Sequence, residues 1–98
     1  MKDVEKRAYQ AAIVKATVVR YFLEEAKPKL KGKSPSDRAN SAKLLKNVVE
    51  QAMADYGVDD LVPDKELSRR DFQAHIMALV MKLRKPVEER LKVISKTE

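Results

Sequence analysis

The stretch Ala8 to Leu23, AYQAAIVKATVVRYFL, carries more apolar sides than a helix needs to face one core. Wound at helical pitch, Val4, Ala8, Ala11, Ala12, Val18, Val19, Phe22 and Ala26 fall in one stripe. That is the i, i+3, i+4, i+7 recurrence of a core-facing helix. Tyr9, Ile13 and Ala16 make a second apolar strip roughly opposite, and Val14 and Tyr21 fill the flank between. A helix that is apolar nearly all round needs neighbours nearly all round. A chain of 98 residues has few helices to offer. A second copy is the economical source, so the expectation is a homodimer with this helix at its centre. Lys15 falls inside the main stripe. One reading is a buried lysine paired with a carboxylate. Full burial of a lysine is rare, so the reading preferred has its stem packing while the ammonium reaches water.

Local punctuation places the helices. The first is expected over Lys2 to Ala26, with Asp3 and Glu5 near its positive end. Lys27-Pro28 is its expected stop, because the residue before a proline avoids helical geometry. Lys27, Lys29, Lys31 and Lys33 then alternate with Pro28, Leu30 and Gly32 as a basic loop. Ser34-Pro35-Ser36-Asp37 is the clearest start signal: a capping serine, a proline suited to the first helical position, and an acid three residues after the cap. The second helix is expected to run to Tyr56, with Gly57 as a left-handed terminator. Its stripe is Ala42, Leu45, Val48, Val49, Ala52, Met53 and Tyr56. Val58 to Glu66 is an acidic connector in which Leu61 and Val62 are expected to plug the core edge. Its carboxylates do not follow the ligand order of a calcium loop and are taken as caps and turn residues.

Ser68-Arg69-Arg70-Asp71 repeats the capping pattern and starts the third helix, with Asp64 as an alternative start. Phe72, Ile76, Leu79, Val80 and Leu83 form its core stripe, and Ala74, Met77, Ala78 and Met81 form a second apolar strip behind it. Pro86 either kinks this helix or opens a fourth at its first position. The latter is expected, with Val87, Leu91 and Ile94 on the new helix. No alternating run or hairpin turn signals a strand. The expected fold class is all-α: one domain over residues 1–98, a bundle of three long helices plus a short C-terminal helix after Pro86.

Composition narrows the chemistry. The absence of cysteine removes disulfides, thiol nucleophiles and thiolate metal sites. Two glycines cannot build a phosphate cradle, and no nucleophile elbow or paired-histidine motif occurs. His75, the only histidine, borders the core stripe and is taken as a packed or rim residue. Glu24-Glu25 and Glu88-Glu89 are adjacent in sequence, and adjacent residues on a helix point apart. No enzyme activity, cofactor, metal or small-molecule substrate is expected. The longest uncharged run, Ala8 to Val14, is far short of the roughly 20 apolar residues that cross a bilayer. The opening MKDVEKRAYQ sets charges where a signal peptide would turn apolar. A cytoplasmic, non-membrane protein is the expectation.

A net charge of +6 favours an acidic protein or nucleic acid as partner. The leading expectation is a non-catalytic helical interaction or scaffolding module that self-associates. Its association surface is Tyr9, Ile13, Ala16, Ala74, Met77, Ala78 and Met81. The two second strips are expected to meet within the chain or across a dimer, unless the fourth helix covers them. The alternative is a small nucleic-acid-binding accessory protein. There Lys27, Lys29, Lys31, Lys33 and Arg38, extended by Lys82, Arg84 and Lys85, contact phosphates. Two observations count against it. The connector after Gly57 is too long for a helix-turn-helix, and no aromatics interleave with the basic residues.

Overall fold

Four helical segments order the chain: α1 is Asp3–Leu30, α2 is Pro35–Met53, α3 is the single turn Val58–Leu61, and α4 is Arg69–Thr97. They belong to a computed structural model that describes residues 3–63 and 66–97. Among the described residues there is no strand, so the chain is all-α. Expectations on Lys2 and Asp64, and on the side chains of Asp3, Val4, Asp59 and Ile94, fall outside the described residues.

Two serines start two of the long helices. Ser34 Oγ accepts the backbone N–H of Asp37 at 3.1 Å, and Ser68 Oγ accepts that of Asp71 at 3.2 Å. Each satisfies a donor that has no partner inside its helix, which is worth about 1 kcal/mol.

Neither interior proline ends its helix. α1 does not stop at Lys27 but runs through Pro28 to Leu30. Pro86 lies inside α4, so the separate C-terminal helix expected after it does not form. A proline inside a helix removes a backbone hydrogen bond and costs about 3 kcal/mol. Both prolines are exposed, which lets the carbonyl left unpaired meet water. Packing holds α4 together across Pro86, because Leu83 and Val87, one turn apart, are both fully buried. Burial of two such side chains contributes roughly 3–6 kcal/mol, at least the proline's cost.

The glycine expected to be left-handed is not the one that is. α2 ends at Met53, not Tyr56, and tightens into i→i+3 bonds from Ala54 N–H to Gln51 O and from Tyr56 N–H to Met53 O, at 3.1 and 3.0 Å. Gly57 does not terminate it in a left-handed conformation. It opens α3 instead: its carbonyl accepts the N–H groups of Asp60 and Leu61, and its own N–H donates to Asp60 Oδ2 at 3.2 Å. The left-handed glycine is Gly32, at φ 93°, in the short link between α1 and α2. There Lys33 N–H returns to Leu30 O at 3.2 Å and reverses the chain.

α1 packs against α2, α3 and α4, and α2 also packs against α4. The shared core holds Val14 and Val18 of α1, Val48, Val49 and Met53 of α2, and Val80, Leu83 and Val87 of α4. Leu61 and Val62 are buried at its edge, where the sequence placed them. The stripes of α2 and α4 also match, with Phe72 half-buried. α1 is rotated from its expected setting: Val14 is in the core, while Ala8 and Ala12 are exposed and Ala26 is half-buried. A valine removes more apolar area from water than an alanine, so the helix turns Val14 inward at their expense. Lys15 is exposed and is therefore not a buried, carboxylate-paired lysine. At 1.5 Å per residue the 29 residues of α4 extend about 43 Å. That length accounts for the 44 Å long axis of the molecule.

Candidate functional site

All seven residues of the expected association surface are exposed in the single chain. The four large ones are Tyr9, Ile13, Met77 and Met81, at 64%, 41%, 37% and 72% exposure. No described segment of the chain covers them, so the two strips do not bury one another within one molecule. With Pro86 inside α4, no short fourth helix does so either.

The seven stand on two helices, Tyr9, Ile13 and Ala16 on α1 and Ala74, Met77, Ala78 and Met81 on α4. Ile13 lines a cleft of about 630 Å³ together with Phe72 of α4. Met77 stands seven residues before Arg84, nearly two full turns, and so shares its side of α4. Arg84 reaches across to Glu25 of α1. Tyr9 precedes Ile13 by one turn, and Met81 follows Met77 by one turn. Ile13 and Met77 therefore border the outer seam between α1 and α4, with Met81, Ala74 and Ala78 on the adjoining outer side of α4, while Tyr9, seven residues before Ala16, lies on the back of α1. Ala16 does not join them. It lines a groove on the opposite flank of α1, with Val19 and Leu23.

The seam carries a matched charge pair. Arg84 Nη1 and Nη2 donate to Glu25 Oε1 and Oε2 at 2.6 and 3.1 Å, a two-point clamp across 59 residues of sequence. The Arg84 hydrogen bond holds the Glu25 carboxyl below its usual range; partial desolvation opposes this and the charge of Arg84 adds to it. In return Glu25 holds the Arg84 guanidinium above its ordinary value. Arg84 is thus engaged within the chain, and neither it nor Lys82 nor Lys85 lines the groove where the other expected phosphate contacts stand.

That groove runs between α1 and α2. It is open along its length, has a volume of about 1910 Å³, and is lined by all five of Lys27, Lys29, Lys31, Lys33 and Arg38. The loop expected over Lys27–Lys33 is in fact the last turn of α1 and the link after it, and Arg38 adds the first turn of α2. Lys15, Arg20 and Lys46 extend the same cationic border. Between the charges lies an apolar floor, with Val19 and Met53 at its base and half-buried Leu23, Leu45 and Leu91 above. Leu91 brings the far part of α4 to this floor. Two carboxylates, Glu24 and Glu50, complete the border. Each already has a cation, Lys27 at 3.2 Å and Lys46 at 3.9 Å. Sequence reading found the loop cations but not the floor, because the floor exists only once α2 lies against α1.

Three further side-chain hydrogen bonds tie elements together. His75 Nε2 stands 2.7 Å from Leu61 O. A carbonyl can only accept, so the ring donates there and ties α4 to α3. Arg7 Nη2 donates to Val62 O at 3.4 Å, and Arg90 donates to Gln51 Oε1, tying α4 to α2. Among the described residues no three His, Asp or Glu side chains stand close enough to hold a metal ion, and no helix is long and apolar enough to cross a membrane.

The architecture defined by these residues is a three-long-helix unit with two uncovered faces on its first helix. Scans against protein-family models, curated proteins and solved structures find no match.

Proposed function

We propose that the protein is a non-catalytic helical interaction module that self-associates through the outer α1–α4 seam. The observation that carries this reading is the joint exposure of Tyr9, Ile13, Met77 and Met81 with no described residue covering them. Contiguous apolar surface of this kind marks association sites in soluble proteins. Methionine and alanine suit such a face, since thioethers adapt their shape and small residues let helices approach. The charges along the seam are of both signs: Glu25 pairs with Arg84, and Glu66 stands with Lys6, Arg7 and Arg69 around the cleft of Ile13. A symmetric contact sets a surface against its own copy, so a border of both signs lets each copy set acids against the other's cations, offsetting the repulsion of a net charge of +6.

Subunit exchange tests this directly. The chain has no cysteine, so Lys43→Cys on the exposed polar face of α2 gives one labelling position. Donor- and acceptor-labelled batches mixed at micromolar concentration are expected to show energy transfer, and Ile13→Glu with Met81→Glu is expected to abolish it. Mixed wild-type batches without transfer would refute self-association. Undiminished transfer in the double variant would move the interface elsewhere.

A further inference from the structure

We infer that the α1–α2 groove is a docking site for an acidic amphipathic helix of a partner protein. This goes beyond self-association, since it uses the opposite flank of α1.

Size and shape come first. On α1 the groove extends from Ala12 to Leu30, about 27 Å at 1.5 Å per residue. A single helix of about 18 residues has that length. A volume near 1910 Å³ exceeds the roughly 300–1,000 Å³ of a small-molecule pocket. Two helices side by side, with a third already packed behind them, present the seat that a fourth would take in a four-helix bundle. The exposed alanines of the groove, Ala12, Ala16 and Ala39, leave room for an incoming backbone. Leu23, Leu45 and Leu91 are only half-buried and give an apolar face something to cover.

Charge selects among helices. Both carboxylates at the border are matched by neighbouring lysines. Lys15, Arg20, Lys29, Lys31, Lys33 and Arg38 line the groove with no ion-pair partner among the described residues. Glutamates flanking the apolar face of the incoming helix would complement them.

Other occupants fit less well. A second copy would set this border against a chain of the same positive sign. The chain's own acidic stretch is helical only over Val58–Leu61, and its apolar members Leu61 and Val62 are already buried. Nucleic acid would use the cations through its phosphates, but phosphates gain nothing from Leu23, Leu45 and Leu91.

The experiment titrates the full chain into a labelled 18-residue peptide with leucine at helical spacing and glutamate flanks, read by fluorescence anisotropy. A scrambled peptide of the same composition and random-sequence DNA and RNA oligonucleotides of similar charge serve as comparisons. Saturable binding at least about tenfold tighter than the scrambled peptide is expected, with induced helicity by circular dichroism. Lys15→Glu with Arg20→Glu and Arg38→Glu should weaken it at least tenfold; the three glutamine replacements, milder for the fold, should weaken it in the same direction. Leu44→Asn, at an exposed leucine of the groove, should weaken the peptide and leave oligonucleotides unaffected.

Equal binding of ordered and scrambled peptides, or an oligonucleotide bound more tightly than the peptide, overturns the proposal in favour of plain electrostatic attraction. Absence of peptide binding also overturns it. Disruption of self-association by the peptide makes the groove the self-interface and overturns it too. The Ile13→Glu, Met81→Glu chain should bind the peptide unchanged, so failure of self-association and failure of groove docking are read separately.

Discussion

α1 shows solvent two apolar faces, and they differ mainly in what borders them. Along the seam with α4, Met77 and Met81 stand within two turns of Arg84, which clamps Glu25, and Ile13 shares a cleft with Lys6, Arg7, Glu66 and Arg69. Along the groove with α2, Leu23 and Leu45 lie between cations most of which have no acid to meet. Apolar exposure by itself says only that something binds. The border says what kind of thing: a border of both signs tolerates a copy of itself, whereas a border whose free charges are of one sign calls for an opposite one. One helix can therefore serve two contacts without confusing them.

The largest effect should come from charging the seam. Ile13→Glu together with Met81→Glu is expected to raise the self-dissociation constant at least about 100-fold, roughly 2.7 kcal/mol. Both positions are exposed in the protomer, so far-ultraviolet circular dichroism should stay unchanged. Next comes the continuity of α4, on which the seam depends. Pro86→Ala restores a helical hydrogen bond at an exposed position. It should stabilise the fold by about 2 kcal/mol, the helix-interior cost of proline less the unfolded-state entropy it removes. Urea midpoints read this; a lower midpoint would mean that the proline's bend is what aligns Leu83 with Val87.

The groove's counterpart is the link that folds α2 back. Gly32→Ala should cost about 1 kcal/mol, since φ 93° is disfavoured for a side chain even though nothing lies within 4 Å of the added carbon. Gly57→Ala should stay within about 0.5 kcal/mol, because its backbone is ordinary and its new neighbour, Asp60 Oδ2, is 3.9 Å away. Thermal melts of the pair rank the two turns, and equal losses would contradict the different roles assigned to them.

The smallest effect belongs to the clamp. Its partners remain 40% and 37% exposed, so solvent screening leaves it worth about 0.5 kcal/mol. The Glu25 carboxyl is lowered in the folded chain, so its contribution is present at neutral pH and is lost as pH falls through that lowered value. The raised Arg84 stays charged throughout this range. Glu25→Gln should remove that share of the acid-side loss of stability, read by urea unfolding at a series of pH values.

What the sequence disclosed was local. Ser34 and Ser68 announced their helices because a cap is a contact across three residues. Leu, Val and Ile at helical spacing marked the inner sides of α2 and α4. The misreadings all came from tertiary packing. Leu83 and Val87 carry α4 through a proline that would end a lone helix. α1 chose Val14 over Ala8 and Ala12 because its neighbours reward area, which a binary apolar count does not see. Gly32 and Gly57 have equal freedom as residues, and only the path of the chain says which one uses it. The groove was hidden because half of it comes from each of two helices.

Self-association through the seam is the claim on which the rest depends most heavily. Sedimentation equilibrium of the wild-type chain at micromolar concentration measures it without labels or variants. The expected mass is twice the 11.2 kDa of one chain. A single species at 11.2 kDa across the concentration range would contradict it.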